Sequence, residues 1–315
     1  MTFTVHTSFS DIVNRYDGFI LDQFGVMHNG KESLPGAADC IKQLSSLGKK
    51  LIILSNTSSP SEVALSKLLT LNFDRSNFQG AVTSGEEASR FIHSKYGSEK
   101  DTKKALWFTW DQSEAPLQFL KQCGNIEATH NIDEADFIIA HGSSVIRNSI
   151  EKGDDALDSI VPLGSFFDDG SYTEIDPILQ KCKERNLPMV CANPDFIVKM
   201  ANGKIAHMPG KIALRYENLG AKCKHFGKPH AEHFQACLQK LGMNADQVAH
   251  VGDSLHHDIL GANAAGIASV FITSGIHCDD LGASIGNLPD DTVLGEFFEN
   301  EGNIYPTHVL PMLQF

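Results

Sequence analysis

Short apolar runs alternate with periodic segments along this chain. Gly18-Phe19-Ile20-Leu21 is a continuous apolar run ending in Asp22 and a glycine-containing turn. The next segment has helical spacing, with Pro35 in helix-start position, Ile41, Leu44 and Leu47 on one face, and Gly48 as a stop. Residues 50–54 read as a second buried strand running into Ser55-Asn56-Thr57, and Ser59-Pro60-Ser61-Glu62 opens another helix. Towards the other end, Phe234, Cys237, Leu238 and Leu241 recur at helical spacing, before strand-like runs at 248–251 and 268–272. Helices and buried strands taking turns predict an α/β protein with a mainly parallel sheet covered on both faces. Ligands of such sheets collect at the carboxyl ends of the strands. Asp22, Ser55 and Asp253 each stand at or just past such an end, so the pattern predicts all three along one edge.

The pattern restarts between about 100 and 220, where 105–110, 137–140 and 188–192 read as strands of a separate α/β unit. Strands before 60 and after 245 serve one sheet, so an insertion is more economical than two consecutive domains. The expected division is a core of 1–99 and 222–315 with an inserted domain at 100–221. The acidic stretch from Glu151 to Asp169 lies in this insertion and suggests a solvated loop without an assigned role.

Composition narrows the function classes. A length of 315 residues fits two domains, and a formal charge of −13 argues against a general nucleic-acid binder, which needs a basic face. A phosphorylated metabolite stays compatible, because one metal ion and one lysine reverse the field locally. Seven cysteines, odd in number and without a CxxC pair, predict free thiols in a reducing, cytoplasmic setting. No apolar run has the length of a membrane helix, and the N-terminus lacks the layout of a secretory signal; a removed organellar presequence would leave no trace.

Four short elements carry candidate chemistry: FILDQFGVMHNG with Asp22, LIILSNT with Ser55 and Asn56, FGKPH with Lys228, and HVGDSLHHDI with Asp253 and Asp258. Phosphoryl transfer needs an oxygen nucleophile, a divalent cation and donors for the non-bridging oxygens. Asp22 and Asp253 are hard ligands suited to Mg²⁺, Lys228 can meet phosphate as a point charge, and Ser55 can donate through its hydroxyl. Each element also has a plainer reading: strand-end Asp residues cap turns, Ser-Asn is an ordinary turn, and Gly-Asp-Ser before a helix is a common N-cap. Their joint occurrence in order, each at the appropriate strand end or helix entry, favours an active site.

These elements resemble the haloacid-dehalogenase-like (HAD) superfamily, and more narrowly its class IIA branch of 4-nitrophenylphosphatase and phosphoglycolate phosphatase-like enzymes. PGA at 35–37, CANPD at 191–195 and PGKIALRYENLG before FGKP at 209–229 match that branch in kind and order. The resemblance implies a Rossmann-like, doubly wound core with an inserted α/β cap, and a phosphatase working through an aspartyl-phosphate on Asp22. It implies Mg²⁺ held by Asp22, Asp253 and the main-chain carbonyl of Phe24, with Asp258 supporting the metal site. It places Asn193 and Asp195 on a cap loop near substrate, although both can equally stabilise the turn around Pro194. It also suggests a homodimer formed through the cap.

One position departs from the family pattern. The second residue after the nucleophile is normally an Asp that protonates the leaving group and later activates water; here it is Phe24. A well-placed acid or base is worth about 10²–10⁴ in rate. His28 is the first candidate substitute, ahead of His256 and His257, with helix capping or solvent exposure as the plainer role of all three. Three functions follow: a phosphatase, a non-catalytic sensor of a phosphate ligand that keeps the metal site, and carbon–halogen chemistry. The last needs no Mg²⁺, so the paired acids of GDSLHHD speak against it.

Overall fold

The computed structural model describes residues 3–111, 115–148 and 160–315. Of the acidic stretch, 151–159 lie outside the described residues. The chain divides into two compact units, one of Met1–Ser55, Ser61–Val82 and Lys228–Phe315, the other of Asn56–Pro60 and Thr83–Gly227.

The first unit is built on a seven-stranded sheet. In spatial order its strands are β1 (Thr4–Val5), β16 (His308–Leu310), β15 (Ala268–Ile272), β14 (Val248–Gly252), β2 (Gly18–Leu21), β3 (Lys50–Ser55) and β4 (Ala81–Thr83). From β1 through β3 every neighbouring pair is parallel. Alternation along the strands sends Phe19, Leu21, Leu51, Ile53 and Val251 into one apolar layer, and Ile20, Ile52, Leu54 and Val248 into the other. The first layer takes Ile41 and Leu44 of helix Ala37–Ser46; the second takes Phe234, Cys237 and Leu241 of helix Ala231–Leu241. Burial on both faces is why these strands read as continuous apolar runs. Leu47 departs from the expected face: the helix ends at Ser46, and Leu47 follows it as a C-cap, 57% exposed.

The second unit carries its own sheet, in the order β13 (Cys223–His225), β10 (Met189–Cys191), β7 (Phe137–Ala140), β5 (Lys103–Thr109), β8 (Val145–Arg147) and β9 (Ile160–Pro162). The strand β6 (Ile126–Thr129) pairs with β5, and β11 (Ile197–Lys199) forms an antiparallel pair with β12 (Ile205–His207). The strands from β13 through β5 pair in parallel, whereas β8 and β9 join antiparallel. Strand β5 stops at Thr109, one residue short of the expected run, and the Trp110 indole instead donates to Ser58 Oγ at 3.0 Å.

The division differs from the expected 1–99, 100–221 and 222–315. Helix Ser84–Tyr96 turns its buried stripe of Ala88 and Ile92 onto Trp107 and Phe137 of the second sheet and Phe119 of helix Ala115–Gln122, so the main segment of the unit starts at Thr83. At the other end β13 pairs with β10, which carries the unit on to Gly227.

Candidate active site

The core sheet reverses its direction of growth between β2 and β14: from β2 the chain builds outward through β3 and β4, and later through β14, β15 and β16 on the other side. Such a switch point opens a crevice at the carboxyl ends of the strands. Leu21 is in register with Ile53 on one neighbour and Val251 on the other, and Asp22 N–H donates to the Val251 carbonyl at 2.9 Å. Asp22 therefore ends the middle strand, while Ser55 and Asp253 each lie two residues beyond the residues paired with Leu21.

Four ionisable groups meet there. Lys228 Nζ is 2.7 Å from Asp22 Oδ1 and 2.7 Å from Asp258 Oδ1, with all three residues buried. Carboxylate oxygens of Asp22, Asp253 and Asp258 lie within 4.8 Å of one another. Asp258 has its oxygens occupied: Lys228 and His250 Nε2 donate to Oδ1, and Ser254 N–H donates to Oδ2 at 3.0 Å. A single π turn over Leu255–Ile259 supports this placement, as such turns often do at functional sites. Asp253 Oδ2 accepts the Ile276 N–H at 2.7 Å.

Burial and mutual repulsion set the protonation states. Burial raises Asp22 to about 7, with Lys228 opposing and Asp258 adding to the shift. Asp253 is likewise raised well above the ordinary carboxylate range, by burial and by the charges of Asp22 and Asp258. Burial acts on Asp258 too, but Lys228 and His250 outweigh it and hold its pKa low. Lys228 stays firmly protonated, because two carboxylates overcome its own desolvation. Burial lowers the pKa of His250, favouring the neutral ring, whose Nε2–H donates a hydrogen bond to the Asp258 carboxylate in this arrangement.

This donor set fits a hard divalent cation. With all three carboxylates ionised, one ammonium leaves two negative charges unbalanced, the charge of one such ion. The backbone also crowds Asp253: a Cβ on Gly25, whose φ is +81°, would stand 1.9 Å from its Oδ2, and a Cβ on Gly275 would stand 2.1 Å from its Cβ. Only glycine lets the Phe24-Gly25 turn and the Gly275 loop approach that closely.

The remaining candidates fall into separate places. The Phe24 ring packs edge-on against His28 with centroids 5.8 Å apart, and it lies under Gly30, where a Cβ would meet it at 2.9 Å. His28 Nδ1 accepts the Gly30 N–H, and burial together with Lys67 lowers its pKa to about 4. His28 is thus a neutral ring near pH 7. The hydroxyl of Ser254 caps the turn carrying His256 and His257 by accepting the His257 N–H. In the second unit, Asn56 Nδ2 donates to Asp195 Oδ1 at 2.8 Å, and Asn193 Oδ1 accepts the Asp195 N–H at 3.1 Å, so this trio is engaged in bracing a turn. Sequence reasoning missed His250, Gly275 and Ile276. The signal for His250 was a lone polar residue inside the apolar run VAHVG; nothing local marked the other two.

A switch-point crevice lined by carboxylates and a lysine has the charges to set a cation beside an anionic group, and it stands at the edge of a doubly wound α/β sheet. Two family models match this chain: haloacid dehalogenase-like hydrolase over residues 19–124 and HAD-hydrolase-like over 225–296. A 4-nitrophenylphosphatase of Schizosaccharomyces pombe is 27% identical, covering 85% of this chain and 87% of that protein. Among solved structures, a haloacid dehalogenase-like hydrolase from Brucella suis matches 97% of this chain and 98% of its own, at 22% identity and a TM-score of 0.71. A p-nitrophenyl phosphatase from Archaeoglobus fulgidus matches 95% and 97%, at 23% identity and a TM-score of 0.62. The chain belongs to the haloacid-dehalogenase-like hydrolases.

The raised carboxylates make a stability prediction for protein kept in chelator. The native state holds protons on Asp22 that an unfolded chain releases above 3.8, so ionisation costs stability as pH rises from 3.8 to about 7. Asp258, held low, stabilises the fold above its unfolded pKa and loses that contribution only in stronger acid. Melting temperatures in chelator are expected to fall less steeply with pH in Asp253→Asn than in wild type across that window. Equal slopes would mean that neither burial nor its neighbours raise the Asp253 carboxyl.

Proposed function

We propose that this chain is a Mg²⁺-dependent phosphatase that acts on a small phosphorylated metabolite through phosphoryl transfer to Asp22. The observation carrying this reading is the buried Lys228 ammonium shared by Asp22 and Asp258 with Asp253 beside them. The name of the Schizosaccharomyces relative, 4-nitrophenylphosphatase, supports the same class of reaction. Asp22, Asp253 and the Phe24 carbonyl would hold Mg²⁺, with Asp258 behind Lys228. Bound there, Mg²⁺ supplies positive charge against the phosphate oxygens and keeps the Asp22 carboxylate ionised.

An Asp22 oxygen forms a bond to phosphorus as the ester oxygen leaves and takes up a proton from solvent. Water then attacks phosphorus and gives a proton to solvent, the phosphorus–Asp22 bond breaks, and phosphate and the Asp22 carboxylate are released. Lys228 and the Ser55 hydroxyl hold the non-bridging oxygens, with Asn56 as a further donor. Asn193 and Asp195 belong to the same reading as substrate-side residues of the inserted unit. The reading also includes a homodimer through that unit and a reducing, cytoplasmic setting. Seven cysteines without a disulfide are consistent with the latter, and no helix among the described residues is long and apolar enough to cross a membrane.

Phe24 shapes the expected substrate range. No proton donor stands at that position, so esters with good leaving groups turn over best. Chelation and Asp22→Asn are each expected to abolish hydrolysis of 4-nitrophenyl phosphate. Phe24→Asp should raise turnover of alkyl phosphates towards the ~10²–10⁴ gain of a placed acid. A wild type that is silent on 4-nitrophenyl and acetyl phosphate, with activity appearing only in Phe24→Asp, would favour the second reading that Phe24 supports, a phosphate-ligand sensor. Silence of all three proteins would count against phosphoryl transfer altogether.

His28 offers a separate test of what replaces the missing Asp. Its Nδ1 is engaged by Gly30 and its protonated form is disfavoured. The pH profile of 4-nitrophenyl phosphate turnover is therefore expected to match between wild type and His28→Ala from about pH 5 to 8. Loss of one limb of the profile in the variant would make His28 the substitute acid or base.

A further inference from the structure

A second cluster of side chains of metal-ligating types lies wholly within the inserted unit. In the sheet order β13 is an edge strand, and Cys223 and His225, two residues apart on it, project from the same face. Glu217 comes from the last turn of helix Pro209–Asn218. One ligand atom from each of the three lies within 4.8 Å of the others, and His225 Nε2 is 3.1 Å from Glu217 Oε2. All three residues are partly exposed, and Cys223 differs in this from the other six cysteines, which are buried. Burial, Cys191 and Glu217 all push the Cys223 thiol upward, so a thiolate there needs a positive charge beside it.

We propose that Glu217, Cys223 and His225 form a binding site for a thiophilic divalent cation of the Zn²⁺ kind, with solvent completing the coordination. One sulfur, one imidazole nitrogen and one carboxylate oxygen form a three-ligand set of the type that leaves zinc an open position. In tetrahedral zinc such ligand atoms stand about 3.3–3.6 Å apart, within the 4.8 Å span of this cluster. Binding breaks the Cys223 S–H bond: the proton goes to solvent and the sulfur electron pair goes to the metal. The carboxylate cluster of the core contains no sulfur and suits Mg²⁺ instead, so the two sites select different ions by ligand softness. The bound ion would tie helix Pro209–Asn218 to β13, three residues before Lys228 along the chain.

This proposal stands apart from the phosphatase reading, and its test uses absorption rather than activity. The full-length Asp253→Asn protein, titrated with Co²⁺, is expected to develop a near-ultraviolet sulfur-to-cobalt band that saturates at one equivalent and is displaced by Zn²⁺. Cys223→Ser should lose the band and Cys191→Ser should keep it. His225→Gln retains the thiol, and is expected to weaken Co²⁺ binding by at least about tenfold. It carries the test if Cys223→Ser fails to fold. Absence of the band, its survival in Cys223→Ser, its loss in Cys191→Ser alone, or unchanged binding in His225→Gln would overturn the proposal.

Discussion

The Lys228 ammonium, buried between the carboxylates of Asp22 and Asp258, joins three segments that are far apart in sequence. Desolvating an ion costs several kcal/mol, and removing one partner of a buried pair leaves the other charge uncompensated. Lys228 therefore needs both acids, and Asp258 in turn needs the donors from His250 and Ser254 that hold it ionised. A well-packed apolar core would be at least as stable without this network. Its retention at the switch point of the sheet makes sense as preorganisation of charge.

That network is satisfied on the Asp258 side and strained on the other. Asp22 and Asp253 face each other in low-dielectric surroundings with one ammonium for three carboxylates, so their ionised forms repel. Gly25 and Gly275 let backbone press against Asp253, which confines the carboxylate that a cation would otherwise have to order. A hard divalent ion would relieve the repulsion and leave Asp22 charged, the state that the proposed nucleophilic role requires. Phe24 enters the same turn from the apolar side, against His28 and Gly30, and contributes shape there and no proton donor.

The inserted unit obeys the same packing rules with a different chemistry. Its sheet is parallel from β13 to β5 and antiparallel beyond, and its polar clusters are local: Asn56, Asn193 and Asp195 brace one turn, and Glu217, Cys223 and His225 meet beside an edge strand. Harder oxygen donors gather in the core unit, while a softer set with sulfur gathers here. That partition of residue types is the basis of the two ion preferences proposed above.

Apolar runs, caps and turn residues are local features, and they were enough to read the α/β class, the insertion, and Asp22, Ser55, Lys228, Asp253 and Asp258 as candidates from the chain alone. A parallel sheet buried on both faces leaves its strands unmistakably apolar, so the polar residue ending each one stands out. Other features depended on pairing across long separations. The register of β2 against both neighbours sets Ser55 and Asp253 at equal depth, and the Ala88–Ile92 stripe chose the second sheet because its apolar partners lie there. Helical spacing could not foresee that Leu47 falls past the helix end. His250 gained its role only when Asp258, eight residues on, was folded back onto it, and Cys223 met Glu217 only because a helix returns beside an edge strand. Local pattern records what a residue can do, whereas its partner is fixed by which distant backbone the sheet and its helices bring within hydrogen-bonding distance.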